Sequence, residues 1–487
     1  MSPTSPSLAD LQRAPADAEV LIEEARQRQR RRRRIGLAAA IVVVLGAGSY
    51  LAADSGSSSA SNSPHRTGVT SPKPPGGPAV NITAFHGHGF LAFISRNALW
   101  LLDGTSDSLR RLPTGGGQPQ RPAFSADGKW LSYASTSGHH GGQYREWLVR
   151  ADGRGVRSFR LRGDTTIIGW SPHGHRLAEA RADRRTRSTL KVVNPAGGSR
   201  TLGTVRGLWD AAWSPDGQQI AVTTSGAVTG TTRLLTYPAM GGTPTTWLTR
   251  AFRHAPLNGM QQPLLDIAGW WPDHGIGVWV IGNGAVSTND QAPLDLIARP
   301  NAAPRLLGST LLGRDSTTVT SSRTGWLALV DNTPRAFGRL IWQGKHVLVC
   351  APTSDTCTRP PISPGNVSLD PSWSPDGHTL AFIAAPGRRS AGFPQPVVKR
   401  WYAAHRLELY DAVSGQLRSV PAADGVSAPQ WSTNGDSLIY AADDGIWLLP
   451  TLTAKPVRVA TPLFPSNAWP TYYGQVRWSS QFAWSPS

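Results

Sequence analysis

Two kinds of apolar pattern divide this chain. Residues 35–53 (IGLAAAIVVVLGAGSYLAA) form one run without a charge, about the length of a helix that crosses a hydrocarbon core. From residue 80 onward the apolar residues come in short alternating runs closed by Gly, Pro, Asp and Ser, the pattern of strands joined by tight turns. One phrase organises that second region, W-S-P-D-G followed by a short apolar strand. It reads WSPDGQQIAV from Trp213 and WSPDGHTLAF from Trp373. Looser copies start at Phe124 (FSADGKWLSY), Trp170 (WSPHGHRLAE) and Trp431 (WSTNGDSLIY). A degraded copy starts at Trp270 (WWPDHGIGVWV), and a last fragment at Trp478 (WSSQFAW). Successive starts lie 46, 43, 57, 103, 58 and 47 residues apart. The long interval holds two units, the second marked by GWLALVD from Gly325. Such a period signals a repeat architecture.

Each residue type in the phrase has a mechanical task. Pro presets φ at the first turn position, Asp216 or Asp376 suits the second, and Gly217 or Gly377 takes the left-handed site that closes the hairpin. Trp170, Trp213, Trp373 and Trp431 end one strand and offer a large apolar face to a neighbouring sheet. Two further short strands follow in most units, such as RLELYDA (406–412) and GQLRSVP (415–421). Four short strands per repeat is the pattern of a β-propeller blade. Residues 89–113 match the second, third and fourth strands of a blade without its first, and QVRWSS (475–480) reads as that missing strand. The expected fold is all-β. It is a propeller of about eight four-stranded blades, or seven if the unsigned unit near 318 is an insertion, preceded by one transmembrane helix and a disordered tether.

The W-S-P-D-G hairpins resemble the WD-like repeats of TolB-type propellers over residues 80–487. That resemblance implies a six- to eight-bladed disc, commonly exported in bacteria, in which the repeat is structural. It also brings in two precedents, periplasmic scaffolds and propellers attached to prolyl-oligopeptidase-type hydrolase domains. The chain departs from both. A membrane helix and tether stand where TolB has an α/β domain, and no hydrolase elbow is present.

Composition agrees with this reading and narrows it. The chain has 51 Gly and 40 Pro among 487 residues, which rules out a long helical bundle. Two cysteines cannot build a disulfide scaffold or a zinc ribbon. The net charge of +18 is carried almost wholly by Arg, since only six of 49 basic residues are Lys. That field favours anionic partners or surfaces, yet no nucleic-acid module is visible and no nucleic acid is expected.

Residues 1–34 form an Arg-rich tail. The Arg30–Arg34 block places it in the cytoplasm by the positive-inside rule, with 35–53 as an uncleaved anchor. A cleaved signal peptide is the competing reading, favoured by Ala52 and Ala53. Either way the propeller lies outside the cytoplasmic membrane. Residues 54–79 are a Ser/Gly/Pro tether with a reach on the order of 30 Å. Ala18, Leu21, Ile22 and Ala25 fall at helical spacing in the tail, either extending the membrane helix or docking a cytoplasmic partner.

Local catalytic signatures are missing: there is no G-x-S-x-G, no phosphate-cradling G-x-x-x-x-G-K-[ST] and no H-E-x-x-H. The pairs His86/His88 and His139/His140 sit in Gly-rich segments without further ligands, and His173 and His175 read as turn variants. No cofactor or metal is expected. Cys350 and Cys357 bracket a six-residue turn between two strands, suited to a hairpin disulfide in an oxidising compartment. Two second-to-third-strand loops are basic, one carrying Arg181, Arg184, Arg185 and Arg187, the other Arg388, Arg389, Lys399 and Arg400. They form the candidate face for an anionic partner and are expected to point away from the membrane. The function expected from these features is a non-enzymatic binding scaffold that engages an envelope protein or anionic polymer. A transmembrane sensor and an enzyme with an axial site are the alternatives.

Overall fold

The computed structural model describes residues 76–136, 144–155, 157–159, 165–183, 186–226, 230–251, 264–281, 292–310, 319–332, 345–352, 357–387, 400–463 and 480–486. The Arg-rich tail, the apolar run 35–53 and nearly all of the tether lie outside these residues. Among the described residues no helix is long and apolar enough to cross a membrane.

The fold is all-β, an eight-bladed propeller of four-stranded antiparallel blades. The innermost strands of blades 2 to 8 are Gln118–Phe124, Thr165–Trp170, Leu208–Trp213, Leu264–Trp271, Val319–Ser321, Asn366–Trp373 and Ser427–Trp431. Second strands such as Phe90–Ser95, Gln219–Thr224 and Leu438–Ala442 are buried along almost their whole length. A blade is covered by a neighbour on each face, so both sides of its inner strands are apolar. Outer strands such as Ser108–Leu112 are half exposed. The core therefore lies between blades. One cluster joins Leu91, Phe93 and Phe482 of blade 1 to Ile439 and Ile446 of blade 8.

The repeated Trp is an inter-blade bolt as well as a packing surface. The indole N–H of Trp170 donates to Ala123 O (2.9 Å), that of Trp213 to Gly169 O (3.0 Å) and that of Trp431 to Ser372 O (3.0 Å). In each case the acceptor is the residue just before the matching aromatic of the preceding blade. The hairpin is a closed local network. Ser214 Oγ donates to Asp216 (2.5 Å), Asp216 accepts from Gln218 N–H (2.9 Å), and Gly217 takes φ +64°. In the next perfect copy, the His378 N–H and the Ser374 hydroxyl hold the Asp376 carboxyl below its usual range.

Blade 6, whose turn has lost the signature in sequence, keeps the same network. Ser322 and Thr324 hydroxyls lie 2.9 Å apart, Trp326 N–H donates to Ser322 Oγ (3.0 Å), and Gly325 takes φ +86°. Thr324 stands where the hairpins of blades 2, 4 and 7 have Asp127, Asp216 and Asp376, so the count is eight, not seven.

The ring closes as a composite blade, with a different closing strand from the one expected. Phe482–Ser485 pairs with Phe90–Ser95, placing Phe93 opposite Phe482 and Phe90 opposite Ser485. The repeat's Trp is Trp484, followed by Ser485 and Pro486, six residues beyond Trp478. Residues 475–479 lie outside the described residues.

The first described residues add a second clasp. Ala79–Val80 pairs antiparallel with Val457–Thr461 on the outer edge of blade 8, and Asn81 N–H donates to Val459 O (2.8 Å). All W-S-P-D-G hairpins lie on one face of the disc, the hairpin face. Second-to-third-strand loops and blade-to-blade connections lie on the other, the loop face. Ala79 pairs with Thr461, at the loop-face end of its strand. Arg96, in the second-to-third turn of blade 1, donates to Gly76 O at 2.6 Å. The chain thus arrives on the loop face. This corrects the orientation in which the basic loops point away from the attachment: an added edge strand must run against its antiparallel neighbour.

Cys350 and Cys357 are directly paired across two strands of blade 6 and form a disulfide, with Cα atoms 4.0 Å apart. Reduction is expected to cost about 2–3 kcal/mol, read as a lower unfolding midpoint with dithiothreitol. Two thiols should become titratable only after reduction. Labelling of denatured, unreduced protein would refute the staple.

Candidate functional site

The innermost strands are not regular. Their pairing slips between Gln120 and Ala123, Leu208 and Asp210, Ile267 and Gly269, Leu369 and Ser372, and Ser427 and Gln430. These are β-bulges, which re-aim side chains. At three of them a non-glycine residue takes left-handed φ, Arg121 at +55°, Asp370 at +51° and Ala428 at +49°, and each precedes a proline. A residue before proline prefers extended backbone. Each such position stores on the order of 1–3 kcal/mol of strain, the kind found where a fold positions functional groups.

The bulges turn side chains toward the next blade. Asp210 Oδ2 accepts the N–H of Ile267 (2.8 Å), and Asp370 Oδ2 accepts that of Ala428 (3.1 Å). The Trp209 indole donates to Asp266 Oδ1 (2.5 Å). In blade 2, Arg121 reaches Glu146 (3.2 Å), a carboxyl only 4% exposed. Burial pushes Glu146 up to about 7, and the Arg121 charge pulls the other way.

Blades 7 and 8 border a half-open cavity of about 340 Å³ along their innermost strands, lined by Asp370, Trp373, Gln430, Trp431, Thr433 and, from blade 1, Pro486 among others. That is the lower end of ligand-sized volumes. Asp370 is 7% exposed. Burial pushes its carboxyl up to about 6, opposed by the Ala428 N–H. A buried carboxyl poised near neutrality at the edge of a cavity can hold a proton or, once ionised, hold a cation.

Of the residues singled out from sequence, Trp373 and Trp431 line this cavity, and Trp431 also bolts blade 8 to blade 7, a role their repetition does not disclose. Trp170, Trp213, Asp216, Gly217, Asp376 and Gly377 serve the repeat. Arg181, Arg187 and Arg400 are exposed on the loop-face side of blades 3 and 7. Arg184, Arg185, Arg388, Arg389 and Lys399 lie outside the described residues. Blades 3 and 7 stand four places apart in a ring of eight, so Arg181 and Arg187 are on the opposite side of the disc from Arg400. His86 pairs with Asp107 at the surface (3.0 Å), and His175 pins its hairpin to Asp127 of the preceding one (2.7 Å). His139 and His140 lie outside the described residues. Asp370 and Gln430 were missed. The visible signal is the shared residue-Pro-residue-aromatic ending of their strands, Asp370-Pro-Ser-Trp and Ala428-Pro-Gln-Trp, matched by Arg121-Pro-Ala-Phe.

No protein-family model matches the chain, and no curated protein matches it. Solved structures share the propeller fold. A eukaryotic initiation factor aligns with a TM-score of 0.48 at 14% identity over 77% of this chain and 86% of its own. Pyrococcus horikoshii acylaminoacyl peptidase aligns with a TM-score of 0.42 at 10% identity over 71% of this chain. The chain spans about half of that peptidase, 52% of its length. An oligogalacturonate lyase solved with manganese aligns with a TM-score of 0.38 at 13% identity over 80% and 87%. The expectation of a non-enzymatic scaffold is corrected here. The aligned structures include peptidases and a lyase. A propeller site is assembled from loops and strands far apart in sequence, so the lack of a local catalytic motif is by itself no ground for excluding catalysis.

Proposed function

We propose that the protein is an enzyme propeller whose substrate places one end in the cavity between blades 7 and 8, against Asp370. The observation that supports this is the cavity itself: strained bulges hold a buried carboxyl, two indoles and the Gln430 amide around one ligand-sized space. Propeller sites are assembled from strands far apart in sequence, as this one is, with Asp370 and Gln430 on different blades. The W-S-P-D-G hairpins support placing the chain among TolB-type propellers. The apolar run behind Arg30–Arg34 supports display outside a cytoplasmic membrane. The arginine-rich surface supports an anionic partner held against the disc, and the tail leaves room for a cytoplasmic one.

The test is turnover by the full chain across chromogenic esters, aminoacyl anilides and glycosides. Asn at position 370 can still accept from Ala428 N–H, so Asp370→Asn should keep the fold. It is expected to lower kcat/KM about tenfold or more, the worth of one charge-assisted hydrogen bond. Turnover by the wild type that Asp370→Asn leaves unchanged would overturn the assignment.

A further inference from the structure

We infer that the loop face of blades 1 to 3 rests on anionic phospholipid headgroups, held by Arg181, Arg187 and Arg206 of blade 3. The inference builds on display outside a membrane, proposed above, and supplies the orientation of the disc.

The second, third and fourth strands of blade 3 are Leu177–Ala182, Arg187–Val193 and Ser199–Arg206. Ala180, Leu190 and Val205 on these strands pack against blade 4. Side chains alternate along a strand, so Arg181, Arg187 and Arg206 project from the opposite side of the sheet. Arg187 is directly opposite Arg206, and Arg181 is opposite Thr189, two residues along from Arg187. Opposed side chains stand about 4.5–5.5 Å apart and diagonal ones about 7–8 Å. The three guanidinium groups therefore share one patch, and all three residues are exposed. Like charges directly opposite destabilise a sheet, so the patch is at its most favourable with anions in front of it.

Among the described residues none of the three arginines makes an ion pair. The nearby acids are engaged elsewhere. Glu179 is opposite Lys191, whose charge acts on it more strongly than that of Arg181. Asp183, in the turn, accepts the backbone N–H of Arg187 (2.9 Å). On other blades the loop-face acids Asp443 and Asp424 face Arg458 (2.6 Å) and Arg406 (3.8 Å).

Arginine forks match phosphate oxygens, and the path of the chain selects a lipid surface as their source. Each arginine stands at the loop-face end of its strand, and the chain arrives on that face, where Arg96 donates to Gly76 O (2.6 Å). Only 22 residues, 54–75, separate Gly76 from the apolar run 35–53, a reach of about 25 Å for a flexible chain. Each basic residue near an anionic surface favours the docked state about fivefold. Docked this way, the disc turns its hairpin face outward. The cavity between blades 7 and 8 extends to Pro375 and Thr433 of that face, so its ligand arrives from the side away from the bilayer.

The experiment uses the full chain reconstituted into vesicles of phosphatidylcholine, with or without phosphatidylglycerol. Both native cysteines are in the disulfide, so Thr204→Cys, beside the arginines, takes a fluorophore alone, and energy transfer to a headgroup acceptor reads the docked state. Transfer is expected to be higher in the anionic vesicles and to fall to the neutral level at high salt. The triple variant Arg181→Gln, Arg187→Gln, Arg206→Gln should show the neutral level in both, with an unfolding midpoint no lower than wild type because opposed like charges are removed. Equal transfer in the two lipids, or a lipid preference that survives the triple variant, would overturn the inference. So would binding of polyphosphate by the detergent-solubilised chain through these arginines while transfer ignores lipid charge, which would make the patch a site for a soluble polyanion. A chain that floats with vesicles of neither composition would instead sink the membrane display on which the inference builds.

Discussion

Removal of residues 480–487 is expected to leave no cooperatively folded disc. That segment supplies the innermost strand of blade 1, with Phe482 1% exposed and Trp484 8% exposed, both packed between blades 8 and 1. Losing one buried aromatic costs about 3–5 kcal/mol. Losing two, together with a four-residue ladder on Phe90–Ser95, approaches the whole net stability of an ordinary domain, about 5–15 kcal/mol. The freed edge of Phe90–Ser95 would also be open to pairing with other chains. Phe482→Ala is the graded version, expected to cost about 3–5 kcal/mol. Urea unfolding followed by tryptophan fluorescence reads both. A truncated chain that unfolds within about 1 kcal/mol of the wild type would show that the ring does not depend on this clasp.

Glu146→Gln is expected to make the protein more stable at pH 8 by about 1–3 kcal/mol and to flatten its pH dependence. The folded-state pKa of Glu146 is raised from 4.5 to about 7 by burial. Between those values the folded chain holds a proton that the unfolded chain has released. The stabilisation is therefore full below about 4.5 and lost as pH rises through about 7. Asp370, raised from 3.8 to about 6, has the same sign in a lower window, so the difference between wild type and Glu146→Gln isolates the Glu146 contribution. Arg121 is about half exposed in the pair, 49%, and keeps access to water when its partner becomes neutral. Unfolding midpoints between pH 5 and 8 measure the effect. A variant less stable than the wild type at pH 8 would show that the Arg121 attraction outweighs the cost of burying the charge.

The hairpins were legible because everything that makes them lies within six residues. The Ser hydroxyl, the Asp carboxylate and the left-handed Gly satisfy one another locally, so the chemistry is written where it is used. Blade 6 escaped notice as a turn because Thr324 can replace Asp in that network: the hydrogen-bond role persists while the letter changes. The closing strand was placed at Trp478 instead of Trp484 for a related reason. Both positions open a W-S string, and only pairing with Phe90–Ser95 distinguishes them.

By itself the sequence determined an all-β repeat, its four-stranded unit, the closure of the ring from both ends of residues 80–487, and the Cys350–Cys357 staple. All of these follow from local turn chemistry and short-range periodicity, which a linear pattern carries. The tertiary structure alone decided the face on which the chain arrives, since that depends on which strand edge remains unpaired. It also decided that Arg181 and Arg187 stand across the disc from Arg400, because their separation is set by the number of blades between them. The cavity belongs to the same class. Asp370 and Ala428 are 58 residues apart, and their contact exists only because two bulges turn toward one another when blades 7 and 8 stack around a common axis.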